Sequence, residues 1–296
     1  MAKTMNRILL LLLIFPSLTF SQRNWDAVEV KVHNVSENIA YLEGSGGNIG
    51  VIYGEEGIMM IDNQFAPLTS KINTAIATLS QEQLRYVINT HYHGDHTGGN
   101  ENFAEVGATI VSHDNVRTRL GITFQNEALG REMEAKPETF WPGVTFSKDL
   151  TFHFNEEEIQ ITHFPRAHTD GDAIVFFKTS NVIHAGDCFV RYGYPYIDIS
   201  AGGTIDGIIA AQRNLIDMAN EETKIIPGHG EVSSIREVQE LLQMLIETRE
   251  IVALAKDQGE SLASLLDREP LANYHERWSG SFIDSDLFVK LIYESL

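Results

Sequence analysis

The chain has 296 residues, 43% of them hydrophobic, and its 41 acidic and 22 basic residues give a formal charge of −19 with neutral histidines. That balance excludes a binder of nucleic-acid phosphates, which needs clustered Lys and Arg, and argues against an anionic membrane surface as partner. A single cysteine, Cys188, excludes an intrachain disulfide, so the apolar core must supply the stability.

At the N-terminus, Lys3 and Arg7 precede the apolar run Ile8 to Phe15, and Pro16, Ser17, Thr19 and Ser21 lead into polar Gln22-Arg23-Asn24. A basic start, an apolar core of about ten residues and a small-residue exit predict a signal peptide over residues 1–21; the run is short for a membrane span. No cysteine follows it to suggest lipid attachment. The expectation is export to the periplasm with no membrane anchor after cleavage. Residues 22–296 would form one α/β domain, and losing Lys3 and Arg7 takes the charge from −19 to about −21.

Strands are expected at Ala40 to Leu42, Asn48 to Tyr53 and Ile58 to Ile61, separated by glycine-rich turns at Gly44 to Gly47 and Gly54 to Gly57. Leu68, Ile72, Ile76 and Leu79 fall on one face of a helix, Tyr86 to Ile88 reads as a buried strand, and Ala108 to Val111 reads as another before a helix over 115–120. The stretch from Gly121 to Pro142 reads as irregular. Leu150 to Phe154 and Ile159 to Phe164 predict a hairpin about Asn155-Glu156-Glu157-Glu158, with further strands at Ala173 to Lys178 and Val182 to Ala185. Amphipathic helices are expected over Ile205 to Met218 and Arg236 to Leu254, with a last helix near the C-terminus.

The densest chemistry is His91-Tyr92-His93-Gly94-Asp95-His96, four ligand-type side chains in six residues at the carboxyl end of a strand. Imidazole and carboxylate suit borderline cations such as zinc, with iron and manganese as alternatives. Four ligands so close, with others to come from elsewhere, are too many for one catalytic ion. They imply two.

A His-x-His-x-Asp-His run after a strand resembles the signature of the metallo-β-lactamase superfamily, and later segments match it in order. Asp62 resembles the family's early strand-end aspartate, which supports the metal loop. His168 in Ala167-His168-Thr169-Asp170, Asp187 in His184-Ala185-Gly186-Asp187, and His229 in Pro227-Gly228-His229-Gly230 resemble the remaining motifs. The resemblance implies a four-layer αββα sandwich. It implies two ions, one held by His91, His93 and His168, the other by Asp95, His96 and His229, with Asp187 bridging. His184, three residues before Asp187, is a candidate for orienting a ligand. Cys188 followed by Arg191 echoes a β-lactamase subclass with a cysteine ligand, but a complete His-x-His-x-Asp-His run favours Asp187 as the ligand.

The implied chemistry is hydrolysis of a small molecule, with a metal-bound hydroxide attacking a carbonyl carbon and Asp95 and His229, at the second ion, serving the leaving group. Export favours β-lactam opening, with an exported lactone, ester or thioester hydrolase as the alternative and a non-catalytic metal-binding protein as a third reading. Arg191 and Tyr194, just beyond Asp187, are the expected substrate contacts. Oligomeric state is not legible.

Overall fold

The computed structural model describes residues 23–280 and 282–296. The expected signal peptide lies outside the described residues, among which no helix is long and apolar enough to cross a membrane.

Strands β1 (Lys31–Asn34), β2 (Ile39–Glu43), β3 (Ile49–Gly54) and β4 (Gly57–Ile61) form an antiparallel meander. Helix α1 (Thr69–Ile76) then crosses to β5 (Leu84–Asn89), parallel to β4. The chain continues through α2 (Gly94–Thr97), α3 (Asn100–Glu105), β6 (Thr109–His113), α4 (Asp114–Leu120), β7 (Phe124–Asn126), β8 (Arg131–Met133) and β9 (Val144–Phe146). Among the described residues this half makes a seven-stranded sheet, β1-β2-β3-β4-β5-β6-β9, with β7 and β8 as a separate hairpin.

The second half holds β10 (Asp149–Phe154), β11 (Glu157–His163), β12 (Ala173–Phe177), β13 (Val182–His184), α5 (Ile205–Met218) and β14 (Lys224–Ile226), then α6 (Ile235–Asp257), α7 (Leu262–Asp267), α8 (Ala272–Trp278) and α9 (Ser285–Ser295). Its five strands pair in sequence order, the last two parallel across α5.

Side-chain alternation along the strands builds the layers. Met59 and Ile61 of β4 join Ile39, Tyr41 and Val111 between the sheets, meeting Ile159, Ile161, Val175 and Phe177 of the second sheet. One residue out of phase, Ile58 and Met60 face Leu68, Ile72 and Phe103 on the helical side. Ile174 and Ile183 carry the same logic to the far side, against Ile208, Leu241 and Phe288. Each such side chain contributes roughly 1.5–3 kcal/mol relative to exposure. The architecture is the αββα sandwich that the motifs implied.

Two local expectations change. The irregular stretch contains β7 and β8, whose three residues apiece are too few for alternation to register. The β10–β11 turn is only Asn155-Glu156, both at positive φ (52° and 63°), as a two-residue hairpin of its type requires. Glu157 and Glu158 belong to β11, and the Glu157 carboxylate is buried because it accepts from the amides of Thr179 and Ser180, both at 2.9 Å.

Candidate metal centre

Every expected ligand sits in a loop that joins the strands. His91, His93, Asp95 and His96 follow β5, His168 precedes β12, Asp187 follows β13, and His229 follows β14. Parallel pairing of β4 with β5 and of β13 with β14 brings these ends to one edge of the sandwich.

Hydrogen bonds from behind fix the rings. The Asp62 carboxylate accepts from the Thr90 amide (2.8 Å), the Thr90 hydroxyl (2.7 Å) and His96 Nδ1 (2.8 Å). With its hydrogen spent on Asp62, the Thr90 oxygen accepts from His91 Nδ1 at 3.0 Å. His168 Nδ1 donates to the Tyr196 carbonyl at 2.7 Å, and His93 Nε2 donates to Asp198 at 2.9 Å. These bonds set the tautomers, so the other nitrogen of His91, His93 and His168 carries a lone pair. For His96 burial is outweighed by Asp187, Asp95 and Asp62, which hold the ring well above the usual imidazole range, and its Nε2 would shed a proton to a cation.

Those lone pairs converge. His93 Nδ1 lies 3.1 Å from His91 Nε2 and 2.9 Å from His168 Nε2, where neither neighbour has a proton to give. On the other flank His96 Nε2 is 3.3 Å from His229 Nε2 and 3.2 Å from Asp187 Oδ1, and Asp95 Oδ2 is 3.3 Å from His229 Nε2. Asp187 spans the two groups, with Oδ2 3.5 Å from His229 and 3.7 Å from His168, while its buried Oδ1 has no hydrogen-bond partner. Three trios result, His91–His93–His168, His91–His96–Asp187 and Asp95–His96–His229, each with ligand atoms within 4.8 Å of one another. Inward lone pairs and an orphaned buried carboxylate oxygen fit a divalent cation, and the donor types suit zinc.

Burial holds His91 well below the usual imidazole range and brings His168 down to about 4, so both are neutral donors at ordinary pH. Burial also pulls on His229, but the charge of Asp187 and the hydrogen bonds of Asp187 and Asp95 outweigh it and lift that ring to about 9. Burial would raise Asp187, yet His229 and His96 hold its carboxyl well below the usual carboxylate range.

Glycines let the groups close up. A Cβ on Gly228 would stand 2.0 Å from Asp187 Oδ1, and one on Gly47 would stand 2.1 Å from His96 Cε1. Asn48 ties the His229 loop down through Pro227 and Gly230 carbonyls at 2.9 and 2.8 Å. The buried His184 donates to the Asn48 carbonyl at 3.1 Å and accepts from the Gly186 amide at 3.3 Å. It therefore supports the loop bearing His229 and the turn bearing Asp187, and touches no ligand atom itself.

A sequence model of the metallo-β-lactamase superfamily matches residues 42–229, which enclose all these groups. The chain belongs to that superfamily. The hydroxyacylglutathione hydrolase of Pelagibacter ubique (strain HTCC1062) is 25% identical over 150 residues, 49% of this chain and 52% of that protein, so the match spans about half the relative's length. Among solved structures, DIM-1 metallo-β-lactamase superposes with a TM-score of 0.60 at 17% identity, covering 74% of this chain and 99% of that one. The metallo-β-lactamase from Pontibacter korlensis gives 0.60 at 18%, covering 73% and 99%. At such identities the likeness extends to the fold alone.

For a superfamily member, the cleft that the metal centre opens into sets the substrate. It measures about 840 Å³ and is lined beside His93, Asp95, His168, Asp187 and His229 by Tyr92, Phe124, Tyr192, Tyr196 and Phe282, with Arg23, Arg119, Arg131 and Lys136 among its cations. Neither expected substrate contact is there. Tyr194 is fully buried and stacks on Phe288 at 4.4 Å, in the helical core. Arg191 is exposed in a separate groove beside Glu237 and Trp278, its guanidinium 3.4 Å from the Ser233 hydroxyl. The local backbone is the reason: the segment is no regular strand, and Gly193 at a φ of 123° breaks the alternation, so Tyr192 and Tyr196 line the cleft while Tyr194 turns into the core. Cys188 is buried, its thiol pushed well up by burial, and belongs to none of the three trios.

Asp198 was invisible to sequence reasoning. Completely buried, it binds His93, the Tyr92 hydroxyl, Asn126 and the Ala201 amide. A lone acid between Ile197 and Ile199 has no spacing signal to give it away.

Proposed function

We propose that the protein is a metal-dependent hydrolase, exported to the periplasm, that uses two zinc ions to cleave small carboxylic acid derivatives, with iron or manganese as the alternative metals. The carrying observation is the convergence of three lone-pair nitrogens, from His91, His93 and His168, beside the orphaned Asp187 oxygen. Those three histidines would hold the first ion, Asp95, His96 and His229 the second, and Asp187 both. Bound there, the ions would lower the pKa of a captured water to about 7 and polarise a carbonyl oxygen.

The protein's own groups supply orientation and access. Thr90, Tyr196 and Asp198 keep the first three rings in the ligand-ready tautomer, while Asp62 does so for His96. Asp95 and His229 are the open side of the centre, at 31% and 23% side-chain exposure, which suits them to the leaving group's flank. The aromatic walls hold the acyl portion and exclude water.

Arg191, the expected anchor for a drug carboxylate, lies outside this cleft, so the residue argument for β-lactams falls away and esters and thioesters come first. Export in turn disfavours a glutathione thioester, whose pool is intracellular. Elemental analysis should find two ions per chain, reduced to one by His229→Ala, and the loaded enzyme should turn over esters or thioesters faster than nitrocefin or a penicillin. No turnover of any ester, thioester, lactone or lactam would sink the hydrolase reading in favour of a metal-binding protein. N-terminal sequencing of the protein from a periplasmic fraction checks export, since an intact Met1 would contradict it.

A further inference from the structure

The β7–β8 hairpin forms one wall of the cleft, and its two faces differ. The register Phe124↔Met133 and Asn126↔Arg131 puts these four residues on one face, with Gln125 and Glu132 on the other. The first face looks inward. Phe124 lies 5.9 Å from the Tyr92 ring, Met133 packs into the Tyr92 and Leu120 cluster, and Asn126 donates to Asp198 at 3.2 Å and accepts from the Tyr196 hydroxyl at 3.1 Å. On the outward face Gln125 donates to Glu132 at 3.0 Å. Arg131 therefore stands beside Asn126, lining the cleft that holds His93, His168 and Tyr196.

Its charge is uncommitted. Arg119, another arginine of this wall, is gripped by both oxygens of Asp170 at 3.2 and 2.7 Å, whereas no carboxylate among the described residues pairs with Arg131. Of the other acids lining the cleft, Asp95 and Asp187 belong to the metal centre, and Glu132 accepts from Gln125 on the hairpin's other face. Burial pushes the Tyr196 hydroxyl up, and the Arg131 charge opposes that push, as its nearness dictates. In a chain of net charge −19, an unpaired guanidinium facing a cleft is a place for an anion.

Position says which part of the substrate bears that anion. The Tyr196 ring lies 5.9 Å from His93 and 5.8 Å from His168, while Tyr192 covers the opposite flank at 5.4 Å from His229. Resting on the two-metal hydrolase reading, with Asp95 and His229 on the leaving group's flank, Arg131 lies on the acyl side.

We propose that Arg131 receives a carboxylate on the acyl portion, so that the substrates are half-esters or half-thioesters of short dicarboxylic acids. Tyr196 and Phe282, with rings 5.8 Å apart, flank the linking carbons. Hydrolysis breaks the acyl carbon's bond to the leaving oxygen or sulfur, adds the water's OH to that carbon and its proton to the leaving atom, and yields a dicarboxylate with an alcohol or thiol.

The test pairs mono-4-nitrophenyl glutarate with 4-nitrophenyl pentanoate, matched in chain length, on the zinc-loaded enzyme. Wild type should prefer the glutarate ester in kcat/KM by about tenfold or more, and Arg131→Ala should erase the preference by lowering that ester about 10- to 150-fold while pentanoate stays within about twofold. Arg131→Lys should restore part of it. Calorimetric titration with glutarate gives a readout independent of turnover, and Arg131→Ala should weaken its binding by a similar factor. Equal rates on the two esters in wild type, or a preference that survives Arg131→Ala, overturns the inference and leaves the hydrolase reading standing. If no ester is cleaved, the hydrolase reading fails, and the titration still decides: glutarate bound equally by wild type and Arg131→Ala overturns the carboxylate site.

Discussion

Asp198 governs a ligand it does not resemble. Its carboxylate accepts from His93 Nε2, leaving the inward Nδ1 with its lone pair, and the bond and charge of His93 hold the carboxyl below its ordinary value despite burial. In Asp198→Asn one of two accepting oxygens becomes a donor and faces either His93 and Tyr92 or Asn126 and the Ala201 amide, all of them donors, so the anchor that fixes the ring's tautomer is weakened. Zinc affinity should fall about 10- to 100-fold, read by competition with a chromophoric chelator. Unchanged affinity with a lowered melting temperature would make Asp198 merely structural. The contrast with the ligands explains what was legible. His91, His93, Asp95 and His96 lie within six residues, and His168, Asp187 and His229 each lie in a loop next to a strand, so density and context identified them. Arg191 and Tyr194 were chosen by nearness to Asp187 in sequence, but nearness does not say which way a side chain turns. Arg131 lay within a stretch with no readable periodicity.

Elements matter here through close approach. The loop between β2 and β3 reads in the sequence as a glycine-rich turn, and it is one, but Gly47 also lies against the His96 ring. That ring is fully buried and pinned by Asp62 at 2.8 Å, so it has no room to yield. Gly47→Ala should displace His96, taking metal content from two ions towards one while the His91, His93 and His168 trio keeps its own. Overpacking of this kind costs about 1–3 kcal/mol, visible in a thermal melt. Two ions retained at wild-type affinity would show that the loop moves instead. Long periodic elements such as α5 were legible to the residue, and so was the strand-loop rhythm that carries the motifs. The β7–β8 hairpin escaped because what orders it is contact with Tyr92, Asp198 and Tyr196, all distant in sequence.

For the whole molecule, the metal centre ties stability to pH. In the metal-free protein the carboxylates lift His229 from an ordinary 6.5 to about 9, so it carries a proton at neutral pH that a cation must displace. A histidine raised in the fold stabilises the metal-free state fully below pH 6.5, and that contribution is lost as pH rises through about 9. The metal-bound fold holds no such proton, so the gap in melting temperature between metal-bound and metal-free protein should widen from pH 6.5 to 9. The apparent affinity of the ion held by His229 should rise about tenfold or more per pH unit across that window, because His96, a ligand in the same trio, is also held well above its ordinary value and gives up a proton too. At a free metal concentration about a thousandfold above Kd the ion contributes roughly 4.1 kcal/mol, enough for the melts to resolve the trend. Calorimetric titration with zinc in buffers of different ionisation enthalpy counts the protons directly. An affinity flat between pH 6.5 and 8.5, with no proton released, would mean that His229 does not give up a proton to the metal and that the second trio is not a binding site.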